Sequence, residues 1–489
     1  MRDPTKRPAP EETLDPKDWD ALRALGHRMV DDLLEVHETL RQRPVWQPIP
    51  EPVKAALTRP LPRTGQRHEA VYEEFKRHIL PYPLGNLHPK FWGWVIGTGT
   101  PFGMLAELLA AGMNPNLGGG EHVANYVEAQ VLDWCKQLLG YPAEASGLLT
   151  SGGSMANLVG LTVARQARAP YPVRAAGLHG GPQLVVYASC EVHNSVQKAV
   201  EMLGLGSQAG FRALPVDAEY ALEVAALERA IAADRAAGRH PLCVVGTAGT
   251  VNTGAFDPLA AIAEVCRREG LWFHVDGAFG AFAALCDRLR DKVAGMAQAD
   301  SLAFDLHKWM YMPIEVGCVL VRSRRAHHDA YATPAAYLAH LEAGMASGEH
   351  WFSEYGPQLS RNFRALKVWM SLKEHGADKY ARLIQQNVDQ VQHLVALVDA
   401  HPKLERLAPA PLNVACFRYV APGFNGTALD ALNRRIVERL HVEGLAGPSY
   451  ATLNGAFAIR VANTNHRTRR DDFDELVQAI VALGDELSD

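Results

Sequence analysis

The stretch LWFHVDGAFGAF, residues 271–282, runs through Leu271 to Val275, reaches Asp276 and then continues in small residues and phenylalanines. A largely apolar run this short reads as a buried strand, not a helix. The pattern returns in QLVVYAS (183–189), PLCVVGTA (241–248) and GCVLVRS (317–323), with helix-length segments between. Buried runs spaced in this way indicate parallel strands joined by crossovers, and so an α/β sheet domain over residues 100–376. In such sheets ligands bind beyond the carboxyl ends of the strands, which directs attention to the residue after each run.

Upstream, apolar residues from Trp19 to Leu40 recur at helical spacing, predicting an amphipathic helix. Pro44, Pro48, Pro50, Pro52, Pro60 and Pro62 follow and favour an extended connector. Residues 1–99 thus read as a helical arm that lies across a second subunit or across its own domain. Downstream, LSRNFRALKVWMSLKEHG ends at Gly376, a C-cap residue. A long helix, NVACFRYV, a helix, AFAIRVAN and a last helix then predict a smaller α+β domain over 377–489.

With 489 residues, 48% of them hydrophobic, 21% charged and a net charge of −5, the chain is an ordinary globular protein large enough for two or three domains. No basic patch argues for nucleic acid. There is no 18-residue uncharged apolar run, and MRDPTKRPAPEETLDP is too polar for a secretory leader, so a cytoplasmic location without a membrane anchor is expected. The 7 cysteines form no Cys-x-x-Cys pair and the 20 histidines no His-Glu-x-x-His spacing, so no metal site is expected.

The strand ends each admit two readings. Asp276 is either a helix cap or a buried carboxylate that keeps a pyridine nitrogen protonated. TSGGSMANL (150–158) is a Gly-rich turn, either a simple loop or a helix N-terminus offered to a phosphate. His193, after the run 183–189, is a cap or an imidazole stacked on a flat ring. GTAGTVNTGAFDP (246–258) suits a tight loop or an anion cradle. Lys308, in DLHKWMYMP (305–313), either snorkels along Trp309 or is an enclosed nucleophilic amine. Taken together and in this order, these features describe one ligand, pyridoxal 5′-phosphate.

These motifs, with LGNLHPKFWGW (84–94) and IRVANTNHRT (459–468), make the chain similar to the group II pyridoxal-phosphate-dependent amino-acid decarboxylases. The resemblance covers most of the chain. It implies a fold-type I, aspartate-aminotransferase-like homodimer acting on a small-molecule amino acid, with an N-terminal segment wrapped around the partner. It also implies Lys308 as the Schiff-base lysine, Asp276 as partner of the ring nitrogen, His193 as the residue stacked on the ring and Ala278 beneath it. Gly153, Ser154 and His307 match phosphate-site positions, Asp305 stands where some relatives carry asparagine, and Thr250 lies in the loop near the cofactor.

The activity implied is decarboxylation of an L-amino acid to its amine, with Lys308, Asp276 and His193 catalytic. Trp92 and Trp94 fall in the segment resembling the substrate-pocket strand and favour an aromatic side chain; an acidic or aliphatic substrate is the alternative. Phe352 aligns with the loop tyrosine of the aromatic decarboxylases, and Tyr355 lies three residues on. Among plant relatives this exchange accompanies aldehyde synthases, which release carbon dioxide, ammonia and peroxide.

Overall fold

In the computed structural model, which describes residues 11–333 and 340–489, the runs read as strands do form one sheet. Its seven strands are β1 (Ser146–Thr150), β2 (Leu184–Ser189), β3 (Phe211–Leu214), β4 (His240–Thr247), β5 (Trp272–Asp276), β6 (Ser301–Asp305) and β7 (Gly317–Val321). Their spatial order is β1-β7-β6-β5-β4-β2-β3. Every residue of β1, β2, β5, β6 and β7 is buried, as expected for strands covered on both faces.

The strand read from GCVLVRS departs from the expected parallel arrangement. β7 runs antiparallel to both of its neighbours. The cause is the link from β6, whose only regular element is the four-residue helix Leu306–Trp309, too short for a crossover that returns the chain to its starting edge. The other strands share one direction. Thr150, Asp276 and Asp305 therefore end at the same edge, and His193 follows four residues after the end of β2.

A second sheet contains Leu404–Arg406, Val414–Tyr419, Gly447–Leu453, Ala456–Ala462 and, from far upstream, Phe91–Trp92. Phe91–Trp92 pairs in parallel with Gly447 and Pro448. Gly447–Leu453 and Ala456–Ala462 make a hairpin around Asn454 and Gly455, both at positive φ, a pairing that suits an Asn-Gly turn. The helix Arg364–His375 ends at Gly376, φ +70°.

The described chain forms two units, residues 11–43 with 48–84, and residues 44–47 with 85–489. Residues 1–10, at the start of the expected arm, and 334–339 lie outside the described residues. In the first unit the helix Trp19–Glu38 begins at Asp18, whose carboxylate caps the Asp20 and Ala21 N–H groups, and Tyr72 donates to Asp32 at 2.7 Å. The proline stretch is not wholly extended: it includes the helix Glu51–Ala56, where Pro52 occupies the first turn and its missing N–H leaves no bond unmade.

His327 is fully buried beside Ser146, and burial pushes its pKa down to about 3. The native state thus refuses a proton that the unfolded chain accepts below pH 6.5, and stability falls as the pH drops. Between pH 7 and 5 the wild type should lose about 2 kcal/mol more than His327→Phe. Urea denaturation at the two pH values measures this, and equal losses would refute it.

Candidate active site

The site begins where β1 ends. Thr150 leads through Gly152, φ +152°, into the helix Gly153–Arg168, whose first turn has no side-chain cap. Its N–H groups lack intrahelical acceptors and carry the positive end of the helix dipole. A Cβ at Gly153 would stand 2.8 Å from Asp305 Oδ2, and one at Gly317 2.6 Å from Asp305 Oδ1. Only glycines let these three segments close on one another; Ser154 follows, exposed. Beside them His307 Nδ1 accepts the Val316 N–H at 3.1 Å, and burial lowers the His307 pKa against the pull of Asp305.

Lys308 rides on the helix Leu306–Trp309, directly after β6. Gly97 packs against the His307 and Lys308 carbonyls, and Trp309, fully buried, donates to Asn387 Oδ1 at 3.1 Å. The apolar neighbours that the sequence places around Lys308 enclose its base. The amine itself faces a charge, 3.0 Å from Asp305 Oδ2, because the i, i+3 spacing brings that carboxylate beneath it. Asp305 is 2% exposed, and its Oδ1 has no hydrogen-bond partner among the described residues.

Asp276, at the end of β5, is also 2% exposed. It accepts the Ala278 N–H at 3.1 Å on Oδ1 and the Asn157 amide at 2.9 Å on Oδ2. His193 caps the helix Asn194–Met202 by accepting the Ser195 N–H at Nδ1, 3.2 Å, which leaves Nε2 to carry the ring proton. Burial lowers its pKa; Asp276 opposes, Lys308 reinforces and Asp305 opposes. His193, Asp276, Ala278, Asp305, His307, Lys308 and the glycine turn thus form one cluster.

Five other expected positions make contacts of their own. Thr250 is fully buried and closes its own turn, accepting the Ala255 N–H at 3.1 Å. Trp92 is a core residue of the second sheet, stacked on Phe473 at 4.7 Å and donating to Thr468. Phe352 lies under the Arg361 guanidinium, 5.1 Å from its ring centre, and Tyr355 against His327. Trp94 is 55% exposed at φ +50°. Its carbonyl accepts from Arg460, which also bonds the Asn252 and Val251 carbonyls and Ser449. Neither Arg460 nor Asn157 was singled out from sequence, although both lie within the quoted motifs. Nothing in their spacing marks them, because their partners are distant in the chain.

The residues fit pyridoxal phosphate. An uncapped helix start with no room for side chains suits a phosphate, a buried carboxylate suits a cationic ring nitrogen, and a primary amine suits an aldehyde. No group of three or more His, Cys, Asp or Glu among the described residues could hold a metal ion, and no described helix is long and apolar enough to cross a membrane.

Residues 50–420 match the family model described as the pyridoxal-dependent decarboxylase conserved domain. The chain is 33% identical to an aromatic-L-amino-acid decarboxylase of Bacillus atrophaeus, covering 96% of each chain. It is 28% identical to a phenylacetaldehyde synthase of Arabidopsis thaliana, covering 92% of this chain and 93% of that one. It superposes on the crystal structure of Oryza sativa TDC with PLP and tryptamine with a TM-score of 0.89, at 25% identity over 98% of this chain and 100% of the other.

Proposed function

The chain belongs to the pyridoxal-dependent decarboxylase family, and from that premise we propose that it removes the carboxyl group of an aromatic L-amino acid to give the amine. The supporting observation is the cluster at the carboxyl edge of the large sheet, with Lys308 on Asp305 and Asp276 held by Ala278 and Asn157. Membership makes the protein a pyridoxal-phosphate-dependent carboxy-lyase; the aromatic substrate is supported by the Bacillus relative's name, not by Trp92.

Pyridoxal phosphate supplies an aldehyde that condenses with amines and a ring that takes up the electrons released as carbon dioxide leaves. The protein's part is positional. Gly153, Ser154 and His307 would hold the phosphate, Lys308 would offer the amine, and Asp276 would keep a proton on the ring nitrogen. His193, with its proton on Nε2, would lie against the ring. Asp305, 3.0 Å away, holds the Lys308 amine in place.

The aldehyde-synthase reading rests on Phe352 and on the Arabidopsis relative. A phenyl ring in the place of the loop tyrosine has no acidic proton to give to the substrate's α-carbon. Aerobic incubation of cofactor-loaded protein with aromatic, acidic and aliphatic L-amino acids, measuring amine, aldehyde and peroxide, separates these outcomes. Amine from aromatic substrates without peroxide is expected; aldehyde with equimolar peroxide would replace the decarboxylase assignment, and turnover only of acidic or aliphatic substrates would remove the aromatic one.

We further propose a cytoplasmic homodimer. Leu108, Leu109 and Met113 of the helix Pro101–Met113 are more than half exposed, an apolar face that a second copy would cover.

A further inference from the structure

We propose that Asn157, oriented by His274 and Ser301, is the positioning residue that sets both Asp276 and His193 against the cofactor ring. The inference rests on the assignment of Asp276 to the ring nitrogen.

Asn157 is 1% exposed, one turn into the helix whose start forms the glycine turn. Its amide nitrogen lies 2.9 Å from Asp276 Oδ2 and 3.1 Å from Ser195 Oγ. Only the nitrogen end of the amide can face a carboxylate, since the flipped group would set oxygen against oxygen. Oδ1 must then accept, and His274 Nε2 stands 2.9 Å away, so Nε2 carries a proton.

The His274 ring is fully buried, and burial brings its pKa down to about 4. A neutral ring protonated on Nε2 has a bare Nδ1, which takes the Ser301 hydroxyl proton at 2.7 Å, while Ser301 Oγ accepts the Trp272 Nε1–H at 2.8 Å. Donation therefore runs one way, from Trp272 through Ser301, His274 and Asn157 to Asp276. A branch leaves at Asn157. Ser195 accepts from the amide and donates onward to His193 Nδ1 at 2.8 Å, which fixes the His193 proton on Nε2.

Steric contacts hold the same arrangement. A Cβ on Gly160 would come within 2.7 Å of the His274 ring, so the imidazole lies against a helix that makes room for it. Each Asp276 oxygen receives one protein donor, which fixes the carboxylate plane and leaves acceptor capacity for the ring N–H. Trp272, Ser301 and His274 need no contact with the cofactor for this.

The test compares cofactor-loaded Asn157→Leu, His274→Phe, His274→Gln and Asp276→Asn. The readouts are the pH titration of the cofactor's visible absorption band, kcat and KM. Asn157→Leu and His274→Phe should move the titration by about one pH unit or more toward that of Asp276→Asn, and lower kcat about 10- to 100-fold with KM within about threefold. His274→Gln keeps an N–H for Asn157 and should restore most of both. If Asp276→Asn moves the titration and the other variants do not, the chain is structural only and the proposal fails. If Asp276→Asn leaves it unmoved, the ring-nitrogen assignment itself is wrong and the inference falls with it. Should the leucine variant not fold, Asn157→Ser carries the same expectations.

Discussion

Lys308→Ala is expected to lower kcat by about 10⁴-fold or more, and to remove the covalent attachment of the cofactor. The amine stands 3.0 Å from Asp305 at the end of β6, placed by a helix that Gly97 and Asn387 hold from either side. No shift of the backbone compensates for its loss, because the apolar residues around it offer no second nucleophile at that position. The variant also leaves the Asp305 carboxylate buried without its cation, a cost of about 1–3 kcal/mol that the fold can absorb. Borohydride reduction of the loaded protein, followed by peptide mass analysis, should tag the Lys308 peptide in the wild type and nothing in the variant. A tag persisting elsewhere would show that another lysine carries the cofactor.

What the sequence made legible follows from the range of the interactions. Buried strands announce themselves through local composition, so β2, β4, β5 and β7 were readable, and Asp276 at the end of β5 and His193 after β2 fall in one cluster with Lys308. The direction of β7 was not readable from its own residues, since it depends on the length of the link that precedes it. Trp92 shows the opposite failure: an indole suits a substrate pocket or a core equally, and only its pairing with Pro448 and its stacking on Phe473, both far away in the chain, put it in a core. The hairpin Gly447–Leu453 to Ala456–Ala462 did carry a local signal, the Asn454-Gly455 dipeptide between its two strands. Asn157 reaches Asp276 and Arg460 reaches the Trp94 carbonyl, each more than a hundred residues off, and no local pattern encodes that.

Glu128→Ala is expected to destabilise the protein by about 3–5 kcal/mol. Glu128 is fully buried and Arg361 3% exposed, and the guanidinium bonds both carboxylate oxygens. Removing the carboxylate leaves a cation in the interior, while the gain from the intact pair is itself modest; most of the loss is the charge left behind. The double variant Glu128→Leu with Arg361→Met should therefore be milder than Glu128→Ala alone, and urea denaturation of the three proteins tests the ordering. The pair also grips β1: Arg361 donates to the Leu149 carbonyl at 2.8 Å, and Glu128 accepts the Leu149 N–H at 3.2 Å. Leu149 precedes Thr150 and the turn through Gly152, so loosening it should spread to the helix start proposed for the phosphate and weaken cofactor binding about tenfold in protein that still folds. A single variant costing under about 1 kcal/mol, with cofactor affinity intact, would mean that water or a backbone shift satisfies Arg361, and that β1 holds the glycine turn without it.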